Sequence, residues 1–516
     1  MKKMLFAACG IALLALPATV SARWIEAKNA AFTVYGAGNE ALISALSDDL
    51  SRYDAALRQE LGASYSNDKA PLTIYLVGTR KEAGRLASGS NSSNIAGWYN
   101  RHSEGGFAVS NLEGWAANAK SVSRSVLLHE YTHHLLNRYA TIAMPAWLSE
   151  GTAELYSTMT FDANGQAMIG QFPKIRAISM MQKNQLPIET LLFASPMQIA
   201  NNVHREQFYN RAWLLTHMLH FDAAWKPRLL QYLAALNDDM EARQAAAYAF
   251  GDFKALNAAL DQYAKRPVQS RTIVVAGTAP PTTTLRVMTR VEAQLTHLRL
   301  ERKAAGRDAG RLAVVQGELA TLAHGHGDDA DVQYELAQAG SDLINARKSR
   351  GEGIDVLRAQ MQDALDKSLA LRADHADANL LQGQLLMDQL RHQGSTDAYA
   401  WQRVRAAIQK SIAANGNNPM ALKAYYDSYI GERRPASQNA VSAIAKAFDM
   451  VPELSAVRVA YAWSLARSGD LAGAERAVQI MAFDPQDSGS GRMLAVQFAG
   501  MRKLRASAEA NPAMGS

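Results

Sequence analysis

Two hydrophobic periods alternate along the first half of the chain. Phe32-Thr33-Val34-Tyr35 and Leu72-Thr73-Ile74-Tyr75-Leu76-Val77 are β-branched and aromatic runs that predict strands. Between them, residues from about Glu40 to Leu61 place apolar side chains at helical spacing. Ala96-Gly97-Trp98-Tyr99, taken with Gly106-Phe107-Ala108-Val109-Ser110, predicts a hairpin-like pair. From about Ser121 to Tyr263 the period becomes helical. Val122, Val126, His129, His133 and Leu136 follow 4-3-4-3 spacing, which is one face of an α-helix.

A third pattern follows. The stretch from Ala276 to Thr284 is rich in Gly, Pro and Thr and predicts a linker, taken as residues 266–286. Beyond it the chain is Ala-rich and almost continuously helical, with weak repetition. Ala364-Leu365-Asp366-Lys367-Ser368-Leu369 recurs as Ala407-Ile408-Gln409-Lys410-Ser411-Ile412, and more loosely as Ala443-Ile444-Ala445-Lys446-Ala447-Phe448. The expected architecture is therefore an α+β part at 23–120, a mainly helical part at 121–265, the linker, and an all-α repeat region at 287–516. With 516 residues the chain is too long for one core, and two or three domains are expected.

The N-terminus adds a compartment. Met1-Lys2-Lys3 is a basic start, Met4 to Val20 is apolar but short for a membrane span, and Val20-Ser21-Ala22 offers small residues for cleavage. Residues 1–22 thus predict a signal peptide and an exported chain, periplasmic or secreted, with no stable membrane span after cleavage. Cys9, the only cysteine, lies inside that segment, which excludes a disulfide framework and a thiol nucleophile from the mature chain. Without Lys2 and Lys3 there are 52 basic and 48 acidic residues, a charge of +4. That is mild and dispersed, so a nucleic-acid partner is not expected.

Chemistry concentrates at His129-Glu130-Tyr131-Thr132-His133. Histidines four apart on a helix lie one turn above each other, so both imidazoles reach one zinc ion, and Glu130 between them is placed as a general base. A catalytic zinc needs three protein ligands and an open position. Pro145-Ala146-Trp147-Leu148-Ser149-Glu150-Gly151-Thr152-Ala153-Glu154 reads as a second helix start. Glu150 completes a His-His-Glu set. Glu154, one turn on, is placed to accept the other ring N–H of a ligating histidine. Gly151 removes a side chain where two helices must approach closely.

The combination H-E-x-x-H followed by W-L-x-E-G resembles the gluzincin metallopeptidases, the thermolysin and aminopeptidase-N side of the zincins, and the peptidase MA-like families in particular. The resemblance implies a zincin-like catalytic domain with Zn2+ held by His129, His133 and Glu150, Glu130 as base and Glu154 behind the ligands. Phe208-Tyr209-Asn210-Arg211-Ala212 is similar to the downstream Y-x-K-[GA] segment, with Arg211 in place of lysine. This implies Tyr209 as the oxyanion donor, with His204 and His217 as competitors. It also implies an edge strand before the zinc helix that binds the substrate backbone, for which Phe107 to Ser110 is the candidate. Ala460 to Pro485 resembles a tetratricopeptide helix pair, which implies a groove for a peptide or protein partner; a helical region that only packs on the peptidase is the other reading. The expected function is an exported zinc metallopeptidase acting on a peptide or protein substrate. A non-enzymatic envelope scaffold acting through its helical repeats, and hydrolysis of a non-peptide amide, are the alternatives.

Overall fold

A computed structural model describes residues 23–64, 70–89, 95–115, 121–139, 144–182, 184–238, 240–275, 281–483 and 489–510. The expected signal peptide lies outside the described residues. An N-terminal α/β part is followed by a mostly helical chain, with twenty-one α-helices among the described residues.

The sheet strands are β1 (Trp24–Lys28), β2 (Phe32–Ala37), β3 (Leu72–Val77), β4 (Trp98–His102) and β5 (Gly105–Asn111). Helix α1 (Glu40–Leu61) joins β2 to β3, and α2 (Arg80–Ser88) follows β3. The bounds of α1 have local causes. The Asn39 side chain accepts from the Leu42 N–H at 2.7 Å, and Gly62 closes the helix at φ 65°, a left-handed conformation suited to glycine. β2, β3 and β5 run parallel, while β4 pairs antiparallel with β5 through the two-residue turn Ser103-Glu104.

Period-two alternation then divides the sheet's two faces. Phe32, Val34, Leu72, Ile74, Leu76 and Ala108 pack under α1 and under α3 (Val122–Tyr139). Tyr75, Val77, Phe107 and Val109 face the other way, onto α2 and Leu300. Burying one such side chain fully stabilises by about 1.5–3 kcal/mol, so both faces contribute to the core.

Helix α4 (Ala146–Ser157) packs on α3, and two short strands follow it, β6 (Thr160–Phe161) and β7 (Ala167–Ile169). Then come α5 (Ala177–Met180), α6 (Ile188–Phe193), α7 (Asn202–Phe221), α8 (Lys226–Asn237), α9 (Ala242–Phe250) and α10 (Phe253–Tyr263). Trp147, Leu148 and Leu155 of α4 join Phe208, Trp213 and Leu215 of α7 in the core of this helical part.

One short strand falls within the expected linker 266–286 and a second begins there. β8 (Arg271–Ile273) pairs with β7, and β9 (Thr284–Val287) adds to the outer edge of β1. Its Thr, Ile and Val residues suit strands, and Arg271 and Arg286 form ion pairs with Glu60 and Glu26.

The remaining helices come in pairs: α11 (Arg290–Ala305) with α12 (Ala309–Gly325), α13 (Ala330–Lys348) with α14 (Asp355–Leu371), and α15 (Ala376–His392) with α16 (Ala398–Ala414). They continue with α17 (Pro419–Gly431) and α18 (Gln438–Met450), then α19 (Ser455–Arg467) and α20 (Leu471–Gln479), and end with α21 (Ser490–Ala510). The three repeated sextets fall on α14, α16 and α18, where Leu365, Ile408 and Ile444 are buried at equivalent positions. Gly340 and Gly383 stand at the same interval before the first two sextets. A Cβ on Gly383 would meet Ile408 at 2.6 Å, so glycine admits the second helix of the pair. This region is not a free arm. Leu300 and Ala304 of α11 cover the sheet beside Phe107, and Glu453 before α19 reaches Arg138 at the end of α3.

Candidate metal centre

Helix α3 is fixed in rotation by the residues between its histidines. Tyr131 donates to Asp54 Oδ1 at 2.7 Å, and Thr132 Oγ1 stands 2.6 Å from Tyr53 OH, both partners lying on α1. Arg124 adds a bidentate pair with Asp49. These bonds place Arg124, Leu127, Leu128, Tyr131 and Leu135 in the interior. The stripe expected from sequence, Val122, Val126, His129, His133 and Leu136, is therefore the half-open face of the helix apart from its buried end, Leu136. The physical reason is that the interior face is tied through polar side chains, while the histidine face lines a cleft.

Across that cleft α4 presents Glu150. His129 Nε2 and His133 Nε2 stand 3.1 Å apart, and each is 3.2 Å from Glu150 Oε2. The three side chains are only 12–13% exposed. Donors bound at about 2.0–2.1 Å around a tetrahedral zinc stand roughly 3.3 Å from one another, so the observed triangle has the size of one tetrahedral face. Charge gives a second test. Glu130, Glu150 and Glu154 face one half-buried guanidinium, Arg176, which Glu206 also shares at 2.9 Å, so carboxylates are in excess and a divalent cation would offset them. Without a cation the imbalance is felt at His129. Burial disfavours charge on His129, but the Glu150 hydrogen bond and the charges of Glu154, Glu150 and Glu130 push it up to about 9. Burial likewise opposes the Glu150 carboxylate, but the charge of His133 and hydrogen bonds from both histidines hold it far below the usual carboxylate range.

The far nitrogens are also directed. His129 Nδ1 faces Glu154 Oε1 at 3.5 Å, and His133 Nδ1 faces Ser149 Oγ at 3.4 Å. Glu154 Oε1 receives Arg176 Nη2 at 2.5 Å and Nε at 3.1 Å. The close approach at Gly151 is severe: a Cβ there would stand 2.3 Å from the Ala212 carbonyl oxygen of α7. Only glycine lets α4 lie between α3 and α7 with Glu150 turned inward.

Glu130 points into the same cleft. Its carboxyl is raised by burial; His129, His133 and a hydrogen bond from the Tyr99 N–H work against this, and Glu150 reinforces it. Tyr209, on α7, feels the same cluster. Burial and the charges of Glu150, Glu130 and Glu154 hold its phenol protonated, against the opposing effect of Arg176, whose Cζ lies 4.7 Å from the ring centroid.

The fold thus brings His129, Glu130, His133, Glu150, Glu154 and Tyr209 together. It removes His217, which is a core histidine: Nδ1 meets Tyr263 OH at 2.8 Å, and Nε2 faces the carbonyls of Gly170 and Gln269. His204 stands in the first turn of α7, its N–H capped by Asn201. Arg211, at the position expected to carry a lysine, is fully buried and turns to α10, donating to Asp261 and Asn257. The candidate edge strand is corrected as well. Phe107 to Ser110 lies in β5, which is paired on both sides, and among the described residues the edge strand on that side of the sheet is β4. A two-residue turn had folded β4 back outside it.

Arg176, Ser149 and the Tyr99 N–H are parts of the site that sequence reasoning did not find. Arg176 sits in a single 3-10 turn after Pro173, with no motif around it. A backbone N–H carries no residue-type signal at all. No protein-family model matches the chain, and no curated protein matches it.

Proposed function

We propose that the chain is an exported zinc-dependent metallopeptidase of gluzincin type, with a tetratricopeptide-like helical region at its C-terminus. The observation that carries this reading is the triangle of His129 Nε2, His133 Nε2 and Glu150 Oε2, with edges of 3.1–3.2 Å. Zinc held there supplies Lewis-acid chemistry and brings the pKa of water toward neutrality. Glu130 takes the proton of the attacking water and returns it to the leaving amine. Tyr209, kept protonated by its surroundings, donates to the oxyanion. Glu154 and Ser149 orient the two imidazoles, and Arg176 holds Glu154 in place through two hydrogen bonds. The open edge of β4, beside Glu130, is the place for an extended substrate backbone.

Metal analysis and turnover test this together. Purified chain is expected to hold one zinc, and Glu130→Gln is expected to keep it while hydrolysis of a protein substrate is abolished. Full turnover in Glu130→Gln sinks the mechanism. Failure to bind stoichiometric zinc favours the non-enzymatic scaffold.

A further inference from the structure

β4 is an edge strand, bonded to β5 on one side only. Its outer side carries the Tyr99 N–H that donates to Glu130. A strand paired on one side has half of the usual ladder to hold it, so its other attachments decide how firmly that amide is placed.

One is the Tyr99 side chain, buried in the core with its hydroxyl 3.4 Å from His134 Nδ1; another comes from the C-terminal helices. The turn after β4 carries Glu104, whose carboxylate accepts Arg302 Nη1 at 2.6 Å and Nη2 at 2.7 Å. A bidentate guanidinium–carboxylate pair fixes orientation as well as distance. Arg302, on α11, is itself immobilised: its side chain is fully buried, and it also donates to Glu335 Oε1 at 2.7 Å and Asp342 Oδ2 at 2.6 Å on α13. The Glu104 N–H donates back to His102 Nδ1 at 3.2 Å, which ties the turn to the last residue of β4. A continuous set of hydrogen bonds and one strand therefore connects α13, α11, Glu104, β4, the Tyr99 N–H and Glu130. A cleft of about 520 Å³ lies on the open side of β4, between Asn100 and Ser103 on one wall and Leu454 to Ala456 on the other.

We infer that Glu104 and Arg302 are positioning residues, the ion pair through which the C-terminal helical region holds β4, and with it the Tyr99 amide, against Glu130. This rests on the hydrolase reading above and deepens it: the helical region is a working part of the catalytic unit.

Glu104→Gln is the direct test, because Arg302 keeps Glu335 and Asp342; Lys303, whose Nζ lies 3.5 Å from Glu104 Oε2, loses that ion pair, and the glutamine amide leaves both cations a neutral acceptor. The full zinc-loaded chain is assayed with fluorescein-labelled casein as the probe, and amide hydrogen exchange is followed over Trp98–His102. Expected are one zinc per chain, a kcat lowered roughly ten- to a hundredfold with KM within about twofold, and exchange over β4 faster by about tenfold or more. Unchanged kcat or unchanged exchange overturns the inference. If the wild type cleaves no casein, it is the hydrolase reading that fails, and β4 exchange alone decides: faster in Glu104→Gln supports the attachment, unchanged overturns it. If Glu104→Gln does not fold, Arg302→Lys takes its place with the same readouts, since it keeps the charge and loses the bidentate fork.

Discussion

Arg138 and Glu453, 315 positions apart in the chain, meet in the interior with Nη2 2.7 Å from Oε1 and Nε 3.4 Å from Oε2. Arg138 belongs to the last turn of α3, the helix that carries His129 and His133, and Glu453 lies between α18 and α19. Their side chains are 4% and 1% exposed. The pair thus joins the helix of the candidate metal centre to the later part of the helical array, between α18 and α19, while α11 joins the near end.

A buried pair of this kind is weak evidence for net stability, but removing one partner is costly because the other charge stays buried. Glu453→Ala is expected to lower unfolding stability by about 3–5 kcal/mol, read from the urea midpoint. Arg138→Met combined with Glu453→Leu is expected to recover most of that loss. A midpoint unchanged in Glu453→Ala would mean that this pair does not help to hold the two regions together.

Much of this organisation was legible because it is written in local periods. Glu40 to Leu61 carries its helix in its own spacing and ends at Gly62, and Leu72 to Val77 is a strand by composition. His129, His133, Glu150 and Glu154 were legible for the same reason: helical spacing puts each pair on one face, whatever lies opposite. What was not legible depends on long-range pairing. Thr284 to Arg286 reads as linker until β1 offers an edge, and Phe107 to Ser110 reads as an outer strand until β4 folds back over it. Arg176 belongs to the site only because a 3-10 turn sets it between Glu154 and Tyr209.

Gly151 tests how closely α4 and α7 must approach. In Gly151→Ala the new Cβ would stand 2.1 Å from Thr216 Oγ1 and 2.3 Å from the Ala212 carbonyl oxygen. The threonine can rotate, but the carbonyl belongs to a helix and cannot. The helices must therefore separate, at a cost of about 1–3 kcal/mol or more. Because Glu150 is the preceding residue, zinc affinity is expected to fall with stability. A competition titration against a chromogenic chelator checks this, and wild-type affinity at wild-type stability would rule out the tight approach.

Acid lability follows from buried histidines outside the cleft. Burial lowers His134 well below its ordinary value and lowers His217, and it brings His102 and His220 to about 4. The unfolded chain takes up these protons below about pH 6.5, and the fold refuses them until the lowered pKa is reached. Between those limits the unfolded state binds more protons, so stability falls as pH falls. Each such histidine contributes a slope of up to about 1.4 kcal/mol per pH unit. Melting temperatures are expected to drop from pH 7 to pH 5, and His134→Gln is expected to flatten the drop. The same slope in wild type and variant would remove His134 from the account.

Tyr209 separates catalysis from packing. Its ring lies against the Arg176 guanidinium, a contact that phenylalanine preserves, so Tyr209→Phe deletes the hydroxyl with little change to the fold. The hydroxyl is held protonated beside Glu130 and Glu150, where a donor to a developing oxyanion is needed. Losing one such donor costs about 10²–10³ in kcat. Tyr209→Phe is therefore expected to keep one zinc per chain and a wild-type melting temperature while kcat on labelled casein falls by about that factor. KM is expected to move little, because the bond forms in the transition state and not with bound substrate. A kcat within about twofold of wild type would assign Tyr209 to packing against Arg176 and leave the oxyanion to the metal alone.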